Sequence, residues 1–245
     1  MYRVQNQSKT SLEALELGPV VGLGTVLRVV ERGQNGVKAN DVRRERKAYG
    51  LLRDLVPHPS LLLPDIVLPG AGSDPLYMTM LLCQKNITEL SFDEDGALIN
   101  FMGQLARGVR HLHKHNIAHF DIKGENVLLA QDNHYMLADF GVAVMCPNGR
   151  YMGKFNGTQG EVAPEMQCLY DSYGSAALDA FKCDVFGIGK TVQTLLQRSG
   201  QQNSVRADIV FVAALVTKSM ENMPATRPSA ADIAESIDLF TTNTY

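Results

Sequence analysis

The chain has 245 residues, of which 45% are hydrophobic and 20% charged, a composition that favours a folded globular protein and argues against disorder. Its net charge of −3 gives no electrostatic reason to expect nucleic acid or an anionic membrane as the main partner. No stretch approaches the roughly 18 apolar residues of a membrane span, and the first residues lack the apolar core of a signal peptide.

The first third of the chain has the pattern of strands and one helix. Residues 15–39 are rich in valine and glycine without a helical period, which predicts short strands joined by tight turns, with GQNG at 33–36 as a hairpin connection. Apolar residues recur at three and four positions across 41–55 and predict a helix, which the following prolines end. PLYMTMLL, residues 75–82, predicts a buried strand.

A polar segment after Cys83 separates this part from a mainly helical remainder. We therefore predict two domains, residues 12–83 and residues 84–242. In the second, Asp95 is expected to cap a helix whose apolar residues repeat from 98 to 112. The same spacing predicts two further helices, over Asp184–Leu196 and Ile209–Met220. The predicted fold class is α+β, with a small β-rich lobe followed by a larger helical lobe.

Histidine and cysteine residues raise the question of a metal site. The four cysteines are scattered without the spacing of metal ligands, so we expect reduced, mostly buried thiols and a cytoplasmic location. His111 and His115 lie one helical turn apart, but no carboxylate or cysteine completes a ligand set nearby. We therefore interpret these histidines and His113 between them as structural.

Several polar side chains are crowded into HFDIKGENVLL, residues 119–129. Asp121, Lys123 and Asn126 precede a strand-like run, and a second strand-like piece leads into Asp139, so pairing of the two strands would bring these side chains to one end of a hairpin. A carboxylate and an amide suit Mg²⁺, while a second carboxylate can accept a hydroxyl proton and a lysine can neutralise phosphoryl charge. These groups are what phosphoryl transfer requires. The alternative is ordinary turn residues.

The same segments resemble the motifs of eukaryotic-type protein kinases. Five elements match in order: H-F-D with Asn126 at 119–126, D-F-G at 139–141, A-P-E at 163–165, a helix aspartate at Asp184, and Arg227 in MPATRPSAADI. The resemblance extends from about Leu17 to Leu239 and implies a two-lobed kinase fold. It also implies that Arg227 pairs with the A-P-E glutamate, Glu165.

The resemblance implies roles for the residues of the loop. Asp121 would accept the proton of the substrate hydroxyl, Lys123 would contact the transferring phosphate, and Asn126 and Asp139 would hold Mg²⁺ with ATP. A lysine two positions after the aspartate is typical of serine/threonine kinases, and Thr158 resembles the threonine that shapes the acceptor site in that class. The implied partner is a protein substrate with a serine or threonine acceptor, and the sequence gives no indication of an oligomeric state.

The glycines of LGPVVGLGTVLRVV resemble a loop that covers the nucleotide. Gly18, Gly22 and Gly24 are off the G-x-G-x-x-G register, while Val26 fits the apolar residue that packs on adenine. The alternative is an ordinary glycine-bearing hairpin.

Two charged residues and one strand complete the implied ATP site. Lys38 lies where the family has its phosphate-pairing lysine, and Glu45 is the candidate helix partner of that lysine. The two are only seven positions apart, and a solvent-facing Glu45 is the alternative. Met80 aligns with the residue at the back of the adenine pocket, and Leu81 to Cys83 align with the hinge segment that binds adenine.

Departures from the family pattern suggest a compact kinase with unusual regulation. Phe120 replaces the arginine that in many kinases pairs with a phosphorylated activation segment, so we expect activity without such phosphorylation. Asp184 and Arg227 are 43 positions apart, which is short for the family and predicts a reduced substrate-docking helix. Such compact forms occur among some bacterial effectors, which are delivered into a host cell, and among viral enzymes.

The sequence is compatible with three functions. The first is an active serine/threonine protein kinase that uses ATP and Mg²⁺. The second is a nucleotide-binding pseudokinase that acts as an interaction module, which the irregular glycine loop and the Lys38–Glu45 spacing favour. The third is a small-molecule kinase of related fold, which the A-P-E motif, Asp184 and Arg227 oppose.

Overall fold

The computed structural model describes residues 25–30, 47–52, 54–64, 66–69, 76–201 and 203–244. The hairpin predicted at residues 33–36 lies outside the described residues. None of the helices in these ranges is long and apolar enough to span a membrane.

The first sheet has three antiparallel strands in the order β1-β3-β2. These strands are β1 (Thr25–Val30), β2 (Ile66–Pro69) and β3 (Leu76–Leu81). Val26 lies opposite Met80 in the register of β1 and β3, and Ile66 lies opposite Thr79 in the register of β2 and β3. The prediction of a strand at residues 75–82 is confirmed.

A helix and a loop lie between β1 and β2 in the chain. Residues 47–52 form α1, inside the range predicted to be helical, and its residues Ala48 and Leu52 are buried. The loop that follows forms a parallel bridge between Leu61 and Leu137, and the Leu62 N–H donates to the Leu137 carbonyl at 2.8 Å. The loop is therefore anchored to the second half of the chain.

The longest described helices form the core of the second half. They are α2 (Ala97–Lys114), α3 (Pro164–Asp171), α4 (Ala180–Arg198), α5 (Ala207–Ser219) and α6 (Ala230–Thr244). Helix α2 is central: its buried residues, including Phe101 and Leu105, belong to the same apolar core as Ile188 of α4, Val212 of α5 and Ile237 of α6. All three helices predicted in this half are confirmed.

The connection between α4 and α5 is short. Only residues 199–206 separate the two helices, and those of them that the structure describes contain no helix. This agrees with the expected reduction of a substrate-docking helix.

Seven short strands carry the loops between the helices. They are β4 (Lys85–Asn86), β5 (Ile117–Ala118), β6 (Val127–Leu129), β7 (Tyr135–Leu137), β8 (Val144–Met145), β9 (Arg150–Gly153) and β10 (Ala176–Asp179). All pairs are antiparallel, with β4-β6-β7 in one sheet, β5 with β8, and β9 with β10. Single 3₁₀ turns occur at Ile87–Glu89, Gly124–Asn126, Pro147–Gly149 and Pro224–Thr226.

The architecture is α+β, as predicted, with a sheet in the first part and helices in the second. The predicted boundary at residue 83 falls in the connection between β3 and β4, and α6 continues to Thr244. The division into domains 12–83 and 84–242 stays a prediction.

The start of α2 corrects one prediction. Its N-cap is Gly96, with a positive φ of 76° and no side-chain cap, and Asp95 instead pairs with Arg206 at 3.0 Å. The cap comes from Asp208 of α5, whose Oδ2 accepts the Gly96 N–H at 3.0 Å. Burial alone would raise the pKa of Asp208, but hydrogen bonds from Arg206 and Gly96 and the charge of Arg206 outweigh it and lower the pKa.

We predict that Asp208→Asn lowers the free energy of unfolding by about 1–3 kcal/mol, because a charged hydrogen-bond acceptor at a helix start is lost. Denaturant unfolding checks this, with Asp95→Asn as a control that loses less than about 1 kcal/mol because Asp95 is exposed. Since the folded pKa is lowered, the difference between wild type and Asp208→Asn should be full above about pH 4 and shrink as the pH falls further. Equal losses in both variants would contradict the assignment.

Candidate active site

The loop that begins at His119 is fixed by a buried carboxylate from α4. Asp184 Oδ2 accepts the His119 N–H at 2.8 Å, and Asp184 Oδ1 accepts the Phe120 N–H at 2.7 Å. His113 Nε2 lies 3.0 Å from the same Oδ2. A buried charge is tolerated when it is fully hydrogen-bonded, and here the donors are the backbone of the loop itself.

His119 connects this loop to the chain before Asp139. Its ring is fully buried, Nδ1 accepts the Asp121 N–H at 3.2 Å, and Nε2 lies 3.0 Å from the Ala138 carbonyl oxygen. Because Nδ1 accepts, the ring proton belongs on Nε2, which donates to Ala138. His119 therefore organises the loop.

Asp121 lies at the centre of a network of polar side chains. Its Oδ1 accepts a hydrogen bond from the Thr158 hydroxyl at 2.6 Å. Its Oδ2 pairs with Lys123 Nζ at 3.0 Å and accepts from Asn126 Nδ2 at 3.0 Å. Lys123 Nζ also donates to the Thr158 hydroxyl at 2.6 Å, so the lysine joins the carboxylate to the hydroxyl.

The β6–β7 hairpin brings Asn126 and Asp139 to one end, as predicted. Asn126 precedes β6, Asp139 follows β7 by one residue, and the Ala138 N–H donates to the Asn126 carbonyl at 2.8 Å. Asp139 has a positive φ of 59°, and its Oδ1 accepts the Gly141 N–H at 3.4 Å. The loop supplies Asp121, and the chain on either side of the hairpin supplies Asn126 and Asp139 at the same end.

The donor set at this end fits Mg²⁺ better than a transition metal. Among the described residues, no group of three or more His, Cys, Asp and Glu side chains is arranged to hold a metal ion. Asn126 directs its Nδ2 at the carbonyl and carboxylate of Asp121, so Oδ1 is the amide atom that could bind a cation. One carboxylate with one amide oxygen suits a cation that keeps waters and phosphate oxygens as its other ligands.

The predicted nucleotide edge is described only in part. Met80 is buried at the end of β3, Leu81 is exposed and Cys83 is partly buried. Burial, followed by the charge of Asp132, raises the pKa of the Cys83 thiol to about 11, so this residue is a neutral thiol. Gly18, Gly22, Gly24, Lys38 and Glu45 lie outside the described residues.

The histidines of HLHKH have structural partners. His113 contacts Asp184 and stacks on Phe181 with ring centroids 4.0 Å apart. His111 Nε2 lies 2.9 Å from the Val56 carbonyl oxygen, and His115 Nδ1 lies 2.9 Å from the His111 carbonyl oxygen. These contacts agree with the structural interpretation.

The predicted ion pair after the A-P-E motif is present and buried. Arg227 donates to Glu165 through two nitrogens, Nη1 to Oε1 at 2.7 Å and Nη2 to Oε2 at 2.8 Å. Its remaining donors reach the backbone carbonyls of Lys182 and Glu221 at 2.9 and 2.7 Å. The bidentate pair fixes the start of α3 against the segment before α6.

Comparison with known proteins agrees with this geometry. The family model for the protein kinase domain matches residues 71–237, about two thirds of the chain. The chain belongs to the protein kinase family.

Similar proteins place this kinase with the eukaryotic serine/threonine type. It is 41% identical over 119 residues to the probable serine/threonine-protein kinase fhkC of Dictyostelium discoideum, covering 47% of this chain and 19% of that protein. It is 29% identical over 203 residues to Misshapen-like kinase 1 of Rattus norvegicus, covering 72% of this chain and 15% of that protein. The interferon-induced, double-stranded RNA-activated protein kinase of Rattus norvegicus is 24% identical over 184 residues, and the match covers 66% of this chain and 35% of that protein. The chain thus spans about a third or less of each of these relatives.

The structure adds residues to this kinase site that the motifs did not identify. Gly157 has a φ of 111°, and a Cβ there would lie 2.4 Å from the Phe120 carbonyl oxygen. Tyr151 packs on Phe120 with ring centroids 4.8 Å apart. The glycine before Thr158 was visible in the sequence, but only the fold shows how closely it approaches the loop.

We predict that Arg227→Met lowers the free energy of unfolding of the kinase by about 3–5 kcal/mol, because Glu165 is left without its partner beside the apolar core. The matched control is Arg107→Met, whose pair with Asp238 is much more exposed and should be worth less than about 1 kcal/mol. Denaturant unfolding measures both. If the two variants lost similar amounts, the pair would not have the stabilising role given to it here.

Proposed function

We propose that this kinase transfers the γ-phosphate of ATP to serine or threonine hydroxyls of a protein substrate. The observation that supports this most directly is the arrangement around Asp121, whose carboxylate is held by Lys123 and Asn126 and accepts the Thr158 hydroxyl. The similar proteins named above as serine/threonine kinases support the same class of acceptor. The protein substrate is a proposal, as is the activity of any longer protein that contains this chain.

In this proposal Asp121 is the general base. Its Oδ1 is positioned to accept a proton from a substrate hydroxyl, because it already accepts a hydrogen bond from the Thr158 hydroxyl at 2.6 Å. Lys123 and Asn126 hold the other oxygen, so the carboxylate does not rotate when an acceptor hydroxyl approaches. Lys123, 3.0 Å from Asp121, would also stabilise negative charge on the transferring phosphoryl group.

Asn126 and Asp139 would hold the metal. Mg²⁺ with ATP supplies the phosphoryl group and neutralises charge on its oxygens. The contribution of the chain is orientation: Asn126 is locked by its bonds to Asp121, and Asp139 is fixed by the hairpin and by the Gly141 N–H.

The nucleotide would lie against the first sheet. We propose that Met80, Leu81 and Cys83 line or contact the adenine. Lys38 with Glu45 would contact the phosphates. The exposed Leu81 and Leu82 support a ligand at this edge, because apolar side chains there gain by being covered. The glycines at 18, 22 and 24 and Val26 would cover the nucleotide.

We further propose that the kinase is active without phosphorylation of its activation segment, residues 139–165. Phe120 replaces the arginine that would bind such a phosphate, and it is buried at 4% exposure in an apolar cluster. Between Asp139 and Glu165 the sequence contains no serine and one threonine, Thr158. The Thr158 hydroxyl bonds to Asp121 and Lys123, so a phosphate there would disrupt the site and not activate it.

The state of the cysteines fits a reducing compartment. All four are free thiols, and burial raises the pKa of Cys146 to about 12, which keeps it protonated and unreactive. We propose a cytoplasmic location, because free thiols persist in a reducing compartment.

The test of activity is transfer of labelled γ-phosphate from Mg-ATP to the chain itself and to serine and threonine peptides. We predict that Asp121→Asn lowers the transfer rate by about 10²- to 10⁴-fold, the typical contribution of a general base, with little change in ATP affinity. Asp132→Asn is the matched control, since Asp132 is exposed at the opposite end of the same hairpin, and it should retain full activity.

No transfer by a folded, ATP-binding wild type would contradict the proposal and favour the pseudokinase. Transfer to sugars, choline or aminoglycosides but not to peptides would instead indicate a small-molecule kinase.

The regulatory proposal has its own test. We predict that phosphatase-treated kinase, shown by mass spectrometry to carry no phosphate on residues 139–165, has the same initial rate as untreated kinase. A large loss of rate in the treated, folded protein, restored by incubation with ATP, would contradict independence from phosphorylation.

A further inference from the structure

The two-stranded sheet of β9 and β10 joins the activation segment to the chain that precedes α4. Tyr151 lies opposite Leu178 in its register, and Met152 lies opposite Ala177. Opposite residues of an antiparallel pair share a face, and neighbouring residues alternate between faces. Met152 is 75% exposed and Ala177 is exposed, so Tyr151 and Leu178 form the inner face.

The inner face packs against the loop that begins at His119, which is the catalytic loop of the proposed kinase. Tyr151 and Leu178 both contact the apolar cluster that includes Phe120 and Met166. Phe120 has a positive φ of 64°, which is unfavourable for a bulky residue and persists only where the surroundings enforce it. The sheet supplies part of that enclosure.

Strand β10 and the loop that contains Phe120 are both fixed to helix α4. The Asp179 side chain, at the end of β10, caps α4 by accepting the Phe181 and Lys182 N–H groups at 3.0 and 3.2 Å. One and a half turns further along, Asp184 holds the Phe120 N–H. The strand that holds the activation segment and the carboxylate that holds the catalytic loop are therefore parts of one rigid element.

The position of Thr158 depends on this packing. Gly157 lies so close to the Phe120 carbonyl that no side chain fits between them. Thr158, the next residue, donates to Asp121 at 2.6 Å. The activation segment must therefore stay packed against Phe120 for Thr158 and Lys123 to hold Asp121.

We infer that β10 is a built-in clamp on the activation segment, and that Leu178 and Tyr151 are positioning residues that keep Thr158 at Asp121. This inference rests on the proposed kinase function and deepens it. It identifies what holds the activation segment in a chain where Phe120 replaces the arginine that would bind a phosphorylated segment. The interaction is intramolecular and always present, so the acceptor site is assembled in the chain as synthesised.

The test compares three variants of the full chain. Leu178→Ala removes side-chain volume from the inner face, Leu178→Ile keeps most of that volume, and Met152→Ala alters the exposed face of the same sheet. Hydrogen exchange, followed by mass spectrometry of peptides spanning residues 148–160, reports local opening. We expect exchange on the order of 10-fold faster in Leu178→Ala than in wild type, with Leu178→Ile and Met152→Ala close to wild type.

Steady-state kinetics supplies the functional arm. In Leu178→Ala the kcat for a peptide should fall by about 10- to 100-fold, because catalytic groups are misplaced, while the KM for ATP stays the same. Leu178→Ile should recover most of the kcat. A general loss of folding would instead change the KM for ATP and the exchange of α2, so these readouts separate positioning from instability.

The two proposals fail in different ways. If Leu178→Ala exchanges no faster than Met152→Ala across residues 148–160, or exchanges faster with unchanged kcat, the clamp is wrong while the kinase function stands. If wild type transfers no phosphate, the proposed function fails, and exchange still decides whether β10 holds the segment.

Discussion

The hydrogen bonds of Asp184 are the interaction on which the arrangement of the site depends. The carboxylate is fully buried and accepts the backbone N–H groups of His119 and Phe120. A carboxylate in an apolar core without donors would be strongly unfavourable, so the chain folds stably only when the loop lies where it can supply them. The cost of burying one charge thereby becomes a constraint on the geometry of the loop that carries Asp121.

The His119 ring and the backbone of the β6–β7 hairpin connect this loop to the other residues of the site. The ring of His119 links Asp121, through Nδ1, to Ala138, through Nε2, and Ala138 is the residue before Asp139. The β6–β7 hairpin then fixes Asn126 relative to Asp139 by a backbone bond. Hydrogen bonds to the backbone thus position the loop and the hairpin that carry the charged groups of the site, and such bonds are insensitive to ionic strength compared with exposed ion pairs.

A buried ion pair restrains the other side of the activation segment. Arg227 meets Glu165 in a bidentate pair, and its guanidinium also lies 5.1 Å from the centre of the Phe186 ring. Buried pairs of this kind add little net stability compared with apolar packing, but they penalise any arrangement that separates the partners. With Asp184 holding the loop and Arg227 holding the start of α3, the segment between them has two fixed ends.

The sequence was sufficient to predict the helices and strands whose patterns are local, and to identify the residues that belong to motifs. Helix α2 followed from the spacing of its apolar residues, and Asp121, Asn126 and Asp139 met because two short strands pair as a hairpin. The prediction for the start of α2 was wrong because Asp208, whose carboxylate accepts the Gly96 N–H, is 112 residues away from Gly96, and no local pattern reports a partner so distant in sequence. The β9–β10 pairing was missed for the same reason: strands of four residues carry too little pattern to reveal their partner.

Phe120 shows how one substitution changes the physics of a regulatory segment. An arginine at this position would keep a charge near the catalytic loop, and the segment would be held only when a negative group is added to it. A phenylalanine satisfies no charge, so it must be buried, and the nearest available cover is the activation segment with Tyr151. The contact that replaces the charge pair is apolar and therefore always favourable, since burial of apolar surface requires no modification and is not screened by salt. In the proposal that the kinase is active without phosphorylation of this segment, order in the segment follows from the chain itself, and control of activity would act on the nucleotide, the substrate or the β9–β10 pairing.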